Sequence, residues 1–139
     1  MIIISDFDGV LFKSLDELVQ LNYTIFNNTY KDHKISFINY QKIFKKYKYL
    51  VGPASEYLIL NLVIREYDNH KNINFLDEFK KIKKNIRVIK INDYEKNFFK
   101  EKFIKIKKDF KTWISNFKTT RFSRYLIKNN IKIIILSTK

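Results

Sequence analysis

Two aspartates one residue apart, Asp6 and Asp8, follow a short apolar run in the opening stretch IIISDFDGVLFKS. Side chains two apart on an extended segment project the same way, so both carboxylates are expected to leave the carboxyl edge of a first strand together. Two neighbouring carboxylates repel each other unless a cation or a proton intervenes. Mg²⁺ is one remedy, because it is a hard ion that prefers oxygen ligands and shares them with substrate phosphates. A proton on one member is the other, giving a neutral acid beside an ionised nucleophile. Both together describe phosphoryl transfer through an aspartyl-phosphate, with Asp6 attacking phosphorus and Asp8 protonating the leaving oxygen. Gly9 allows a tight turn whose backbone N–H groups can cradle a phosphate. A plainer reading stays open at this point: Asp-x-Asp-Gly can simply end a strand and cap the following turn. A calcium loop of the EF-hand kind is excluded, because Val10 stands where the next oxygen ligand should be.

Two strands are needed to position this chemistry. Ile2 to Ile4 and Ile131 to Leu136 are continuous β-branched runs, the pattern of strands buried on both faces of a parallel sheet. If they are adjacent and parallel, Ser137 joins Asp6 and Asp8 at the edge where open α/β sheets bind ligands. Everything between reads as helix. Ser14 with Glu17 is a capping-box signature opening a helix that carries Leu15, Leu18, Val19, Ile25 and Phe26. Phe37, Tyr40, Phe44 and Tyr47 form a second stripe, and Gly52 and Pro53 break the chain before an apolar third segment, Tyr57 to Ile64, expected to be a central, enclosed helix. A fourth stripe runs Phe75, Phe79, Ile82, Ile86, Ile89 behind an Asn74 cap. A fifth opens at Asn92 and Glu95 and carries Phe99, Phe103, Ile106, Phe110, Trp113 and Phe117 as bundle core. A short last helix spans about Thr120 to Lys128 and ends at Asn129 and Asn130. His33 and His70 are expected in solvated loops, Trp113 in the core, and Arg121 and Arg124 on a solvated face.

The chain has 139 residues, the size of one ordinary domain, with 28 Lys and Arg against 14 Asp and Glu. That excess points at a polyanion such as nucleic acid or an acidic membrane surface. The basic residues are nearly all lysines spread along helices together with much Ile, Asn, Phe and Tyr, which fits an AT-rich coding bias better than one dedicated binding face. A nucleic-acid partner is therefore not the favoured expectation but stays open, and a basic helical nucleic-acid-binding module is the alternative function. There is no cysteine, which excludes disulfides, thiolate catalysis and Cys-type zinc sites. No run approaches the roughly 20 apolar residues of a membrane span, and the first residues lack the form of a signal peptide. A cytoplasmic protein with no membrane partner is expected.

The stretch DFDGVLFKS resembles the first motif of the haloacid-dehalogenase-like (HAD) phosphohydrolases, and IKIIILSTK resembles their second, an apolar strand ending in Ser or Thr. Order and spacing are similar to the subfamily with a helical cap after the first motif, typified by phosphoglycolate phosphatase and β-phosphoglucomutase. The resemblance implies an α/β fold: a HAD-like Rossmannoid core, of which 1–13 and 119–139 supply only the first two parallel strands, and an inserted α-helical bundle cap over 14–118. It implies Asp6 as nucleophile and Mg²⁺ ligand, Asp8 as general acid/base and further metal ligand, and Phe7, Gly9, Ser137 and Thr138 around the phosphate. The implied substrate is a small phosphorylated metabolite. The family's lysine and acidic motifs lie downstream of its second motif, so the chain is expected to be an N-terminal portion with incomplete catalysis, and a complementing C-terminal fragment or a noncatalytic interaction role is a third reading.

Overall fold

The computed structural model describes residues 2–5, 12–70, 72–115 and 118–135. Two compact units emerge, one formed by Met1–Leu18 with Ile106–Lys139 and the other by Val19–Lys105. In chain order the elements are β1 (Ile2–Ser5), β2 (Phe12–Lys13), α1 (Leu15–Thr29), α2 (Phe37–Tyr47), α3 (Tyr57–Asn69), α4 (Phe75–Asn85), α5 (Val88–Lys108), α6 (Phe110–Ser115), β3 (Lys118–Thr119), α7 (Arg121–Lys128) and β4 (Lys132–Ile135). Single 3-10 turns at Lys48–Leu50 and Ala54–Glu56 lie between α2 and α3.

The protein is mostly helical, and this corrects the expected α/β class. Among the described residues the strands form only two two-stranded ladders, β1 parallel to β4 and β2 antiparallel to β3. No Rossmannoid core is seen among the described residues. The physical reason lies in the pattern itself. A covered parallel sheet takes about five or six strands, whereas the apolar runs able to supply long strands number two. Ile2 and Ile4 remain 59% and 62% exposed, unlike strands inside a layered core.

In the first unit, α7 sets up β4. The Thr120 hydroxyl caps the helix by accepting from the Ser123 N–H at 3.1 Å. At the other end Asn130 adopts a left-handed conformation (φ 50°), Ile131 N–H donates to the Leu126 carbonyl and Asn130 N–H to that of Ile127. That is the Schellman arrangement, with Asn in place of the usual Gly. It turns the chain directly into β4. Asp109 separates α5 from α6, accepting the Thr112 N–H on Oδ1 at 3.0 Å. The long fifth helix expected through Phe117 is therefore interrupted, because an Asp that can bond an N–H three residues on favours starting a new helix over continuing the old one.

The second unit holds most of the core. α3 is buried almost all round, at Tyr57, Leu58, Ile59, Leu60, Asn61, Val63 and Ile64. Around it lie Val19, Leu21, Ile25 and Phe26 of α1, Tyr40 and Phe44 of α2, Phe75 and Phe79 of α4, and Tyr94 and Phe98 of α5. Ring contacts knit these helices together, including Phe44–Tyr57, Tyr57–Phe98 and the parallel stack of Tyr47 on Phe75 at 3.7 Å. Asn74 caps α4, its Oδ1 accepting from the N–H groups of Leu76 and Asp77. The fourth stripe ends sooner than its spacing predicts: α4 stops at Asn85, Ile86 is extended, and Ile89 belongs to α5, where it is 65% exposed.

Candidate functional site

The β1–β4 ladder is the element that the expected chemistry depends on. Its pairs are Ile2 with Lys132, Ile3 with Ile133, Ile4 with Ile134 and Ser5 with Ile135, all parallel. The carboxyl ends of both strands thus coincide at one edge. Asp6 is the next residue after Ser5, and Ser137 is two residues after Ile135 in the sequence. Asp6, Phe7, Asp8, Gly9, Ser137 and Thr138 themselves lie outside the described residues.

Beneath this edge in sequence, β2 and β3 pair Phe12 with Thr119 and Lys13 with Lys118. The short ladder ties the segment after the Asp-x-Asp-Gly stretch to the segment before α7. In the same unit the indole Nε1 of Trp113 donates to Oε1 of Glu17 at 3.3 Å. Glu17 is buried, so the bond gives the carboxylate a donor inside the protein. Trp113 is half-buried on α6, and Arg121 and Arg124 are exposed on α7. The Arg124 Nε donates to the Thr120 carbonyl.

A buried polar chain in the second unit has no counterpart in the reading of the sequence. The Tyr40 hydroxyl donates to Asn61 Oδ1 at 2.6 Å, Asn61 Nδ2 donates to the Tyr94 oxygen at 2.8 Å, and the Tyr94 hydroxyl donates to Asn22 Oδ1 at 2.6 Å. Burial pushes both phenols well above their ordinary range, so neither ionises near neutral pH. The chain of bonds joins four helices and gives the core polar register; it offers no group poised for proton transfer. The signal for it was Asn61 inside the otherwise apolar run Tyr57 to Ile64: a buried amide in such a helix must find partners.

On the surface of the same unit, Arg65 Nη2 pairs with Asp32 Oδ2 at 2.9 Å, and the guanidinium lies over the Tyr30 ring. The hydrogen bond from Arg65 holds the Asp32 carboxyl below the usual range. His33 is not solvated as expected. It is half-buried against Phe26, with ring centroids 4.6 Å apart. His70 is exposed, as expected. Glu56 accepts the Gly52 N–H and the Lys83 ammonium, each at 2.9 Å, and those bonds lower its carboxyl. Among the described residues, the clefts on this unit include one of about 310 Å³ over Ile35, Asn39, Lys42, Ile43, Tyr67 and Asp68 and another of about 470 Å³ over Leu62, Ile82, Asn85, Ile86, Arg87 and Lys90.

Among the described residues no group of three or more His, Asp or Glu side chains is gathered to hold a metal. No helix among them is long and apolar enough to cross a membrane. No family model matches the chain, and no curated protein or solved structure matches it either.

Proposed function

We propose that this chain carries a Mg²⁺-dependent phosphatase-type site that hydrolyses a small phosphorylated metabolite through an aspartyl-phosphate. The observation that supports the reading is the parallel pairing of β1 with β4, whose last pair is Ser5 with Ile135. Asp6 and Asp8 on one side, and Ser137 on the other, are within three residues of that pair along the chain.

In the proposed reaction the Asp6 carboxylate attacks phosphorus while the Asp8 carboxylic acid protonates the departing oxygen, so the alcohol leaves neutral and an acyl phosphate forms on Asp6. Asp8, now ionised, then takes a proton from water as the water attacks phosphorus, which frees Asp6 and releases inorganic phosphate. The Ser137 hydroxyl and backbone N–H groups around Phe7, Gly9 and Thr138 donate to the phosphoryl oxygens. The donor set fits Mg²⁺ by its chemistry, since Asp6 and Asp8 offer only oxygen, and the bound ion would offset phosphoryl charge. A cytoplasmic location accompanies this reading, because small phosphorylated metabolites and Mg²⁺ are available there.

The test is direct detection of the covalent species. The full chain is incubated with Mg²⁺ and acetyl phosphate, and peptide mass mapping then looks for a phosphate adduct. The adduct is expected on Asp6, absent from Asp6→Asn, and longer-lived in Asp8→Asn, where the base for its hydrolysis is missing. An adduct that persists in Asp6→Asn, or failure of the wild type both to form one and to hydrolyse p-nitrophenyl phosphate, would overturn the proposal.

A further inference from the structure

The corner between α4 and α5 combines features that the phosphate chemistry does not use. From Lys80 to Lys90 the sequence reads KKIKKNIRVIK, and no acidic residue occurs between Glu78 and Asp93. Two of its cations are satisfied inside the protein, Lys81 by Glu78 and Lys83 by Glu56. Lys80, Lys84, Arg87 and Lys90 are exposed and form no ion pair among the described residues. Between them stand two aliphatic side chains that folding leaves in water, Val88 at 70% exposure and Ile89 at 65%. Beside them opens the cleft of about 470 Å³, with Leu62, Ile82 and Ile86 for its apolar wall and Asn85, Arg87 and Lys90 as its polar groups.

We propose that this corner docks on an anionic membrane surface. Aliphatic side chains flanked by unpaired cations match the layered chemistry of a bilayer interface, where an apolar wedge enters the acyl boundary and cations meet acidic headgroups. The cleft gives an acidic headgroup two cations and gives its glycerol end an apolar wall. Nucleic acid fits less well, because the exposed side chains at the corner are aliphatic and supply no ring on which a base can stack. The association is peripheral and reversible, and does not depend on Asp6 or Asp8.

The test is cosedimentation of the full chain with vesicles of equal parts phosphatidylglycerol and phosphatidylcholine, against vesicles of phosphatidylcholine alone. Binding to the mixed vesicles only is expected, weakening as ionic strength rises. Reversing Arg87→Glu with Lys90→Glu is expected to lower the partition coefficient at least about tenfold, while the charge-matched pair Lys31→Glu with Lys128→Glu, remote in sequence, lowers it far less. Val88→Ser with Ile89→Ser removes the wedge without changing charge and is expected to weaken binding about tenfold, with helical circular dichroism unchanged. Equal losses in the two charge-reversed variants would overturn the proposal, as would full binding by the serine variant. Tighter binding to a single-stranded RNA than to the mixed vesicles, insensitive to the serine changes, would assign the corner to nucleic acid instead.

Discussion

The hydroxyl of Tyr94 lies 2.6 Å from Oδ1 of Asn22, closing a hydrogen-bond chain between helices whose contact spans 72 residues of sequence. Its other partner, the Asn61 amide, donates to the same oxygen at 2.8 Å. Tyr94 therefore serves as donor and acceptor at once, between two amides that are fully buried. Tyr94→Phe leaves one buried acceptor and one buried donor without this partner, and is expected to destabilise the protein by about 1–3 kcal/mol. Tyr49→Phe, at a position 72% exposed, is the control and is expected to change nothing. Urea unfolding of both variants decides the matter: equal midpoints would mean that the buried chain contributes no stability.

Alkaline pH acts on the same groups. Burial raises the pKa values of Tyr40 and Tyr94, and desolvation also raises that of Tyr30. A folded-state pKa above the unfolded value of about 10 means that the unfolded chain loses its phenolic protons first. Above that point the native state binds more protons than the unfolded state, so stability falls as pH rises. The contribution is fully present below about pH 10 and is lost progressively as pH climbs toward the folded values. Urea midpoints measured across that range should decline, with a smaller decline in Tyr40→Phe. Flat midpoints up to pH 11 or so would contradict the burial of these phenols.

The Asn74 cap offers a local test in α4. One side-chain oxygen accepts two of the backbone donors that a helix start leaves without partners. Asn74→Ala is expected to cost about 1 kcal/mol, and Asn74→Asp to cost little, since it keeps the oxygen and adds favourable charge at the helix N-terminus. Thermal unfolding that ranks the alanine and aspartate variants equally would show that the cap is not what holds this end.

How much could be read in advance follows from how local each signal is. Asn74 sits directly before an apolar stripe and caps its helix as expected, and in the structure Ser36 and Thr120 cap α2 and α7 with their side chains in the same way. The continuous apolar run Tyr57 to Ile64 gave the enclosed helix for the same reason, because burial on all sides leaves no polar face to encode. The start of α5 carried no such mark: Arg87 occupies the position before it, and its carbonyl accepts from Lys90 and Ile91 N–H groups. Asn92 and Glu95, which resemble a start, lie inside the helix. Phe103 and Phe110 keep helical spacing yet are more than half exposed, not the bundle core expected of them; periodicity reports a helix and an apolar side, not what lies against it. His33 was misread because a polar neighbourhood in sequence says nothing of Phe26, seven residues earlier, whose ring it meets. The α/β class failed at a longer range. Two β-branched runs correctly indicate strands, but the number of strands in a layer is a property of the whole chain. The proposed site stands on a motif, Asp6, Asp8 and Ser137, whose residues lie outside the described ones; what the structure describes beside it is the parallel register of β1 with β4.

The pair formed by Glu17 and Trp113 gives the first unit its own reporter. Trp113 is the sole tryptophan, and its indole N–H donates to a carboxylate that is 4% exposed. Hydrogen bonds to charged groups contribute about 1.5–3 kcal/mol, more than neutral ones. Glu17→Ala removes the acceptor and opens space beside the ring, so the indole emission is expected to move to longer wavelength and the unit to lose about that much stability. Glu17→Gln keeps an oxygen in place and should recover most of the emission shift while regaining only part of the stability, because the acceptor is then uncharged. Tyr94→Phe, in the other unit, should leave the native emission of Trp113 unchanged. If Glu17→Ala and Glu17→Gln give the same spectrum as the wild type, the indole is not bound to Glu17, and the packing of α6 against the start of α1 must be redrawn.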